Sequence, residues 1–390
     1  MKKTICAIFL SIMCACLCLT GCNTANPTYN EIKIENNETV QMKLENSKFL
    51  KFKVRVSSNS YAKYYQKQQK KYGDDTMNMM FSNYKSEVEK LQKLFNEPSK
   101  NASVKFLNNY NNPFEYIEET NGKEINTEDL RQQVLQILDG EKDKIDLQFV
   151  QITSDLSTQD LVAKTQLRGA FSTYFGTSTA NRKENIKVAS KKLGGLIINP
   201  HQQLSFNEVV GRRTAENGFK SSLIILNGEY VEGIGGGVCQ VSTTLYNAWV
   251  NSGLEVAFVQ SHSLPTSYVD LSFDATVSSQ IDLKLKNDTE HPVYLLSQIK
   301  NDTLYFAIYG APNPYDIKKI TKIVKEIDTI PFTDIYDTNK YVVEKGKKGF
   351  VTKGIIEYYI DKKLVKKVER DDYYTPTKDY IIEKTATQQP

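Results

Sequence analysis

One thiol stands apart in this sequence of 390 residues. Five of the six cysteines, Cys6, Cys14, Cys16, Cys18 and Cys22, crowd the first 22 residues, so no disulfide framework runs through the chain, and Cys239 lies far beyond them. It sits in Gly235-Gly-Gly-Val-Cys-Gln240, ahead of Val241, Leu245, Ala248 and Trp249 at helical spacing. Three glycines have no place inside an ordered helix. The spacing therefore predicts a tight glycine turn running straight into a helix, with Cys239 in its first turn. Unpaired N–H groups and the helix dipole at such a start favour a thiolate and lower its pKa. The same N–H groups can hydrogen-bond a developing oxyanion, and glycine lets a substrate backbone come close. The chemistry indicated is nucleophilic attack by sulfur, with Gly236, Gly237 and Gln240 around the anion or the substrate. The same pattern also fits a buried cysteine behind a glycine turn, since free cysteine is among the most buried residue types.

A thiol nucleophile needs a base, and the chain has three histidines. His291 precedes Pro292 in a turn and His201 follows Asn199-Pro200 in another. His262 comes directly after the strand-like Glu255 to Gln260, 23 positions beyond Cys239, room enough for a helix and a strand to fold back. Asp274, in Phe273-Asp-Ala-Thr-Val277, is placed to orient its imidazole, as third groups do in Cys–His systems. Arg213 can hold a carboxylate through its bidentate fork, or serve in a surface salt bridge. One thiol and three scattered histidines make a poor ligand set, so no metal or other cofactor is expected.

The formal net charge is +4, from 50 basic and 46 acidic side chains, too balanced to indicate a nucleic-acid partner. Lys2 and Lys3 followed by the apolar run Ile5 to Leu17 form a signal-peptide pattern, too short for a span of ~20 residues. The run ends in Leu19-Thr20-Gly21-Cys22, which resembles the bacterial lipoprotein signal. That resemblance implies cleavage before Cys22, a diacylglycerol on its sulfur, and a membrane anchor facing the cell wall. An ordinary secretory signal with a chance cysteine is the alternative.

The remaining pattern supplies the frame. Phe49 to Val56 alternates as a half-buried strand, and Tyr61 to Tyr72 is a polar helix candidate stopped by Gly73. Met77 to Phe95 has helical spacing closed by Pro98, and its methionine and aromatic stripe is read as core. Ser103–Leu107 and Phe114–Glu119 are strand-like. Asn126 and Asp129 cap a helix carrying Leu130, Val134, Ile137 and Leu138, ended by Gly140, and Ile145, Leu147 and Phe149 alternate as one strand. Asn181 to Leu193 is a helix with Asn181 as cap and Glu184 at the third position. After Pro312 and Pro314 come strands at Tyr341–Val343, Gly354–Ile360 and Leu364–Val368.

Three resemblances attach to these elements. Phe206-Asn207, Val210-Gly211, Arg213-Thr214, Gly218, Gly235 to Gln240, Ser242 to Ala248, His262-Ser263, Tyr268-Val269, Asp274 to Val277 and Asp282-Leu-Lys284 with Lys286-Asn287, in that order, together resemble a VanW domain. The resemblance implies a cell-wall role and, as in some members, an L,D-transpeptidase with a cysteine nucleophile acting on peptidoglycan stem peptides; the alternatives are a non-catalytic peptidoglycan-binding lipoprotein, or a cysteine amidase or carboxypeptidase on the same stem peptides. Cys239 matches the family cysteine, His262 its histidine and Asp274 the following aspartate, with Arg213 and Ser263 beside substrate. The chain departs from the family at Ser272 and Phe273, where a glycine and a basic residue are common. Phe114 to Ile117, Gly122 to Ile125, Leu130 to Leu138 and Ile145 to Leu147 resemble a peptidoglycan-binding module. Gly346, Gly349, Gly354 and Pro376 resemble a degenerate G-five domain, in which Asp361-Lys362-Lys363 replaces the usual glycine after the long strand; a plain β extension fits equally. The expected fold is α+β and multi-domain. Its parts are a signal peptide at 1–21, a tether with a strand and helix region at 22–76, the peptidoglycan-binding module at 77–160, a β-rich catalytic domain with a helix after the cysteine loop at 165–310, and the C-terminal β module at 315–390.

Overall fold

The computed structural model describes residues 31–35, 39–43, 49–53, 85–138, 144–226, 229–334, 338 and 341–383. The signal region with Cys22, the Tyr61 to Tyr72 helix candidate and Gly140 lie outside them. By contacts the chain divides into two units, residues 1–102 with 118–157, and residues 103–117 with 158–390. Both mix α and β structure.

In the first unit, Glu31–Glu35, Thr39–Lys43 and Phe49–Lys53 form an antiparallel meander, and Lys144–Asp146 pairs with the first of these strands. The helix Lys85–Phe95 buries Leu91 and Phe95. The helix Thr127–Leu138 starts where Asn126 Oδ1 accepts the Asp129 N–H at 3.0 Å, as its sequence predicts. Ile145, Leu147 and Phe149 keep a period of two but do not form one strand. Asp146 exchanges both main-chain groups with the Gln133 amide at 2.8 Å, which interrupts pairing, and Phe149–Ile152 then pairs with Gly122–Ile125 instead.

The second unit is built on an antiparallel sheet in the order Leu196–Ile198, Val293–Lys300, Thr303–Gly310, Gln166–Tyr174. Val293, Tyr294, Leu295 and Leu296 are buried in succession, the mark of a strand covered on both faces. One cover is the hairpin Ser103–Phe106 with Phe114–Ile117, whose Phe106 and Phe114 rings lie 5.4 and 5.1 Å from the Tyr294 ring. The other is the helix Val238–Asn251, which buries Val241, Leu245, Ala248 and Trp249 against the sheet, beside the helix Ala180–Leu193. That second helix is capped by Thr179, whose hydroxyl accepts the Arg182 N–H; the Asn181 amide, expected to cap, instead donates to Ser221 O at 2.9 Å.

A smaller sheet, Gln203–Ser205, Lys284–Lys286 and Glu255–Phe258, leads into the His262 segment. The C-terminal strands Asp316–Ile327, Gly349–Ile360 and Lys363–Tyr374 form a three-stranded antiparallel sheet. Asp361 and Lys362 turn its last hairpin with φ of 49° and 64°, so two left-handed residues do what a glycine turn would. Ile356, Tyr358 and Tyr374 of this sheet are buried, the first two within the core around the Cys239 helix.

Candidate active site

The glycine run forms the predicted turn. Gly235 and Gly237 take φ of +94° and +103°, and Gly237 caps the Val238–Asn251 helix with no side-chain hydrogen bond to its free N–H groups. Val238 N–H donates to Gly235 O and Gln240 N–H to Gly237 O, whereas the Cys239 N–H meets no backbone acceptor among the described residues. Asn185 clamps the turn, donating from Nδ2 to Gly236 O and Lys220 O at 2.9 Å each. A Cβ at Gly236 would lie 2.4 Å from Leu223 O, and one at Gly237 2.9 Å from Arg182 Cγ. Gly237→Ala therefore combines a left-handed backbone with a clash. It is expected to lower stability by about 1–3 kcal/mol, read as a depressed thermal midpoint.

Cys239, the second helical residue, is partly buried, and its thiol donates to Val277 O at 3.4 Å. His262 and Asp274 are 6 % and 1 % exposed. Asp274 Oδ2 accepts both the His262 main-chain N–H and Nδ1–H, each at 2.6 Å, and Oδ1 accepts the Tyr374 hydroxyl at 2.6 Å. A carboxylate only accepts, so Nδ1 carries the proton and Nε2 is the nitrogen left to face the Cys239 side chain, whose charge bears on the imidazole. The structure thus brings Cys239, His262 and Asp274 into one chain of contacts.

The polar residues of the helix explain how Asp274 is held. Ser242 donates to Ala275 O at 2.6 Å, Thr243 accepts the Ala275 N–H at 3.0 Å, and Asn247 donates to Phe273 O at 2.7 Å. Lys319, from the C-terminal sheet, in turn donates to Asn247 Oδ1 at 2.9 Å and lies over the Phe171 and Phe273 rings. The helix that carries the thiol therefore fixes the segment that carries the carboxylate.

The charges follow from this geometry. Burial pushes the Cys239 thiol up, but the His262 imidazole, then the Val277 main chain and Arg213, outweigh it and leave the thiol below its ordinary value. Burial disfavours a charged His262, yet the bonds to Asp274 and Cys239 prevail and push it up to about 10. Asp274, raised by burial, ends below the usual carboxylate range because His262 and Tyr374 donate to it. With the thiol shifted down and the imidazole shifted up, the thiolate–imidazolium pair is favoured over the neutral thiol–imidazole pair, beside an Asp274 biased toward its ionised form.

The other expected site residues fall on both sides of the line. Gln240 is buried and does not face the thiol: its amide donates to Thr173 Oγ1 and Tyr174 O at 3.0 Å each, tying the helix to the sheet. Arg213 donates to Asn207 Oδ1 at 2.6 Å and Ser278 O at 3.3 Å, and its charge is felt at Cys239. Ser263 is exposed beside His262, and its carbonyl accepts the Thr375 N–H at 2.7 Å. His201 is an exposed turn residue at φ +60°, 3.3 Å from Glu290, and the His291 carbonyl accepts from Asn287 at 2.8 Å. Ser272 has φ of +69°, a conformation that suits glycine, and it is held there by Thr352 and Tyr374. Sequence reasoning did not reach Tyr374 or Arg370. Tyr268, part of the VanW-like motif but given no role, is half-buried, with its hydroxyl where the Cys239 and Asp274 charges bear on it. Among the described residues no group of three His, Cys, Asp or Glu side chains could hold a metal, and no helix is long and apolar enough to cross a membrane.

Comparison with known proteins relates part of the chain to one family. The family described as VanW like protein matches residues 181–309, which include Cys239, His262 and Asp274. The chain is 36% identical over 170 residues to the Uncharacterized protein YoaR of Bacillus subtilis (strain 168), covering 43% of this chain and 55% of that protein. It is 29% identical over 146 residues to the Vancomycin B-type resistance protein VanW of Enterococcus faecalis (strain ATCC 700802 / V583), covering 36% of this chain and 53% of that one. The chain thus spans about half the length of the curated relatives it matches. No solved structure matches it.

Proposed function

Residues 181–309 are a VanW-like domain, and from that premise we propose that this chain is an exported, lipid-anchored enzyme that remodels peptidoglycan by L,D-transpeptidation. The observation that carries the reading is the buried His262, hydrogen-bonded to Asp274 through Nδ1 and electrostatically coupled to Cys239, which stands at the start of a helix with no side-chain cap. A relative named for vancomycin resistance supports a role at the cell wall. The Cys22 anchor rests on the signal pattern alone.

In this reading the Cys239 thiolate attacks the carbonyl carbon of the third residue of a donor tetrapeptide stem. The oxyanion accepts from the Cys239 N–H, which has no backbone acceptor among the described residues. As the tetrahedral intermediate collapses, the peptide C–N bond breaks, and the His262 imidazolium gives its Nε2 proton to the departing D-alanine amine. A thioester remains. The side-chain amine of the third residue of a neighbouring stem attacks it, neutral His262 takes the amine's proton, and the C–S bond breaks. The product is a 3→3 cross-link with the thiolate restored. The flanking residues hold the enzyme on its polymeric substrate. The test is muropeptide analysis after incubating the full chain with disaccharide-tetrapeptide. Dimers with loss of D-alanine are expected; tripeptides alone mean that water is the acceptor, and unchanged substrate contradicts the reading.

A further inference from the structure

The C-terminal sheet, beyond the family-matched residues, reaches into the site at its strand end. Tyr374 is fully buried; its hydroxyl accepts the Ser272 N–H at 2.7 Å and donates to Asp274 Oδ1 at 2.6 Å. The next residue, Thr375, donates its N–H to Ser263 O at 2.7 Å, beside His262. Two steps before the tyrosine, Asp372 accepts from Arg370 Nε at 3.0 Å, and Arg370 Nη2 donates to the carbonyls of Ser272 and Asp274 at 2.7 and 3.3 Å. On the neighbouring strand, Thr352 hydrogen-bonds the Ser272 hydroxyl at 2.7 Å, and Gly354 leaves no room for a Cβ, which would lie 2.6 Å from Ser272 Cβ. One strand end thus holds both the carboxylate and the chain beside the imidazole.

We infer that Tyr374 is a positioning residue of the Cys239 site, the fourth member of a relay running Cys239, His262, Asp274, Tyr374, and that the C-terminal sheet is a working part of the enzyme. The inference rests on the proposed role of Cys239. Asp274 has two oxygens: Oδ2 serves His262, and the Tyr374 hydroxyl is what keeps Oδ1 satisfied and the carboxylate plane aimed at Nδ1. A buried carboxylate with one oxygen unpaired would be free to turn and easier to protonate. The phenol, pushed well above its usual value by burial and then by the Asp274 charge, stays a donor at every working pH.

The experiment follows Cys239 alkylation and cross-linking against pH in the full chain, with alkylation read by mass spectrometry on the peptide that carries Cys239. Alkylation needs no stem peptide, so it reads the relay even if the parent transfers nothing; parent inactivity with a shifted Tyr374→Phe profile would refute transpeptidation and leave the relay standing. Tyr374→Phe keeps the ring and removes the donor. It is expected to lower cross-linking by about 10-fold or more and to move the acidic limb of both profiles to higher pH, because Asp274 protonates more readily. Tyr358→Phe, on the same sheet and without contact to Asp274, is expected to match the parent. Should Tyr374→Phe fail to fold, a fluorotyrosine at position 374, a stronger donor of nearly the same shape, is expected to move the acidic limb to lower pH. A folded Tyr374→Phe with the parent's rates and profiles, or an unmoved limb with fluorotyrosine, overturns the inference.

Discussion

Cys239→Ala is expected to abolish the proposed peptide transfer and to leave the fold in place. The substitution removes one sulfur from the edge of the core, where its side chain makes a single weak donation to Val277 O. The void is small, so the thermal midpoint should change by no more than about 1 kcal/mol of stability. The loss of activity should reach background, on the order of 10⁴-fold or more, because Cys239 is the only thiol among the described residues. Cys239→Ser tests the same point from the chemical side: a hydroxyl keeps the shape but does not ionise beside an imidazolium. A variant that unfolds would make Cys239 a packing residue, and a folded variant with full activity would remove it from the mechanism.

His262→Ala should lower turnover by about 10²–10⁴-fold. Two roles are lost together, the ion pair that stabilises the thiolate and the proton delivered to the leaving amine. Asp274 keeps the main-chain N–H of residue 262 and the Tyr374 hydroxyl, so the buried carboxylate is not stranded. The pH profile separates this from a packing effect. In the parent, the thiol lies below its ordinary value and His262 sits at about 10, so activity should fall on the alkaline side as His262 loses its proton. In the variant, burial acts on the thiol with less opposition, alkylation near neutral pH slows, and its midpoint moves up. His201→Ala and His291→Ala should change neither measurement, since those side chains lie in turns away from the site. An equal loss in His201→Ala would mean that the pairing is wrong.

How far the sequence revealed this site depended on whether local physics decided the outcome. The helix start was legible because three glycines before an apolar period of 3.6 leave few alternatives, and the turn needs φ that glycine supplies at no cost. The His262–Asp274 pairing was legible as spacing. Its rigidity was not, because Ser242, Thr243 and Asn247 read along the chain as polar interruptions of a helix and show their purpose only when Phe273 and Ala275 lie against them. Gln240 misled for the opposite reason. Its place beside the thiol suggested substrate, while a tertiary contact with Thr173 and Tyr174 takes its amide. The cap at Thr179 and the break after Asp146 were also decided by distant partners, Ser221 for the Asn181 amide and Gln133 for the Asp146 main chain. Tyr374 was out of reach: it lies 100 residues beyond Asp274, in the run Glu369-Arg-Asp-Asp-Tyr-Tyr374 that reads as a solvated strand end.

The central claim is that Cys239 carries an acyl group, and the direct measurement is the mass of that adduct. The full chain is mixed with disaccharide-tetrapeptide in the absence of an acceptor amine, quenched in acid, digested and mapped. The account predicts a thioester on the Cys239 peptide, heavier by the whole disaccharide-tetrapeptide less the released D-alanine, and enriched in Tyr374→Phe if thioester resolution slows more than acylation. No adduct on Cys239 while D-alanine is still released, or an adduct on another residue, would contradict it.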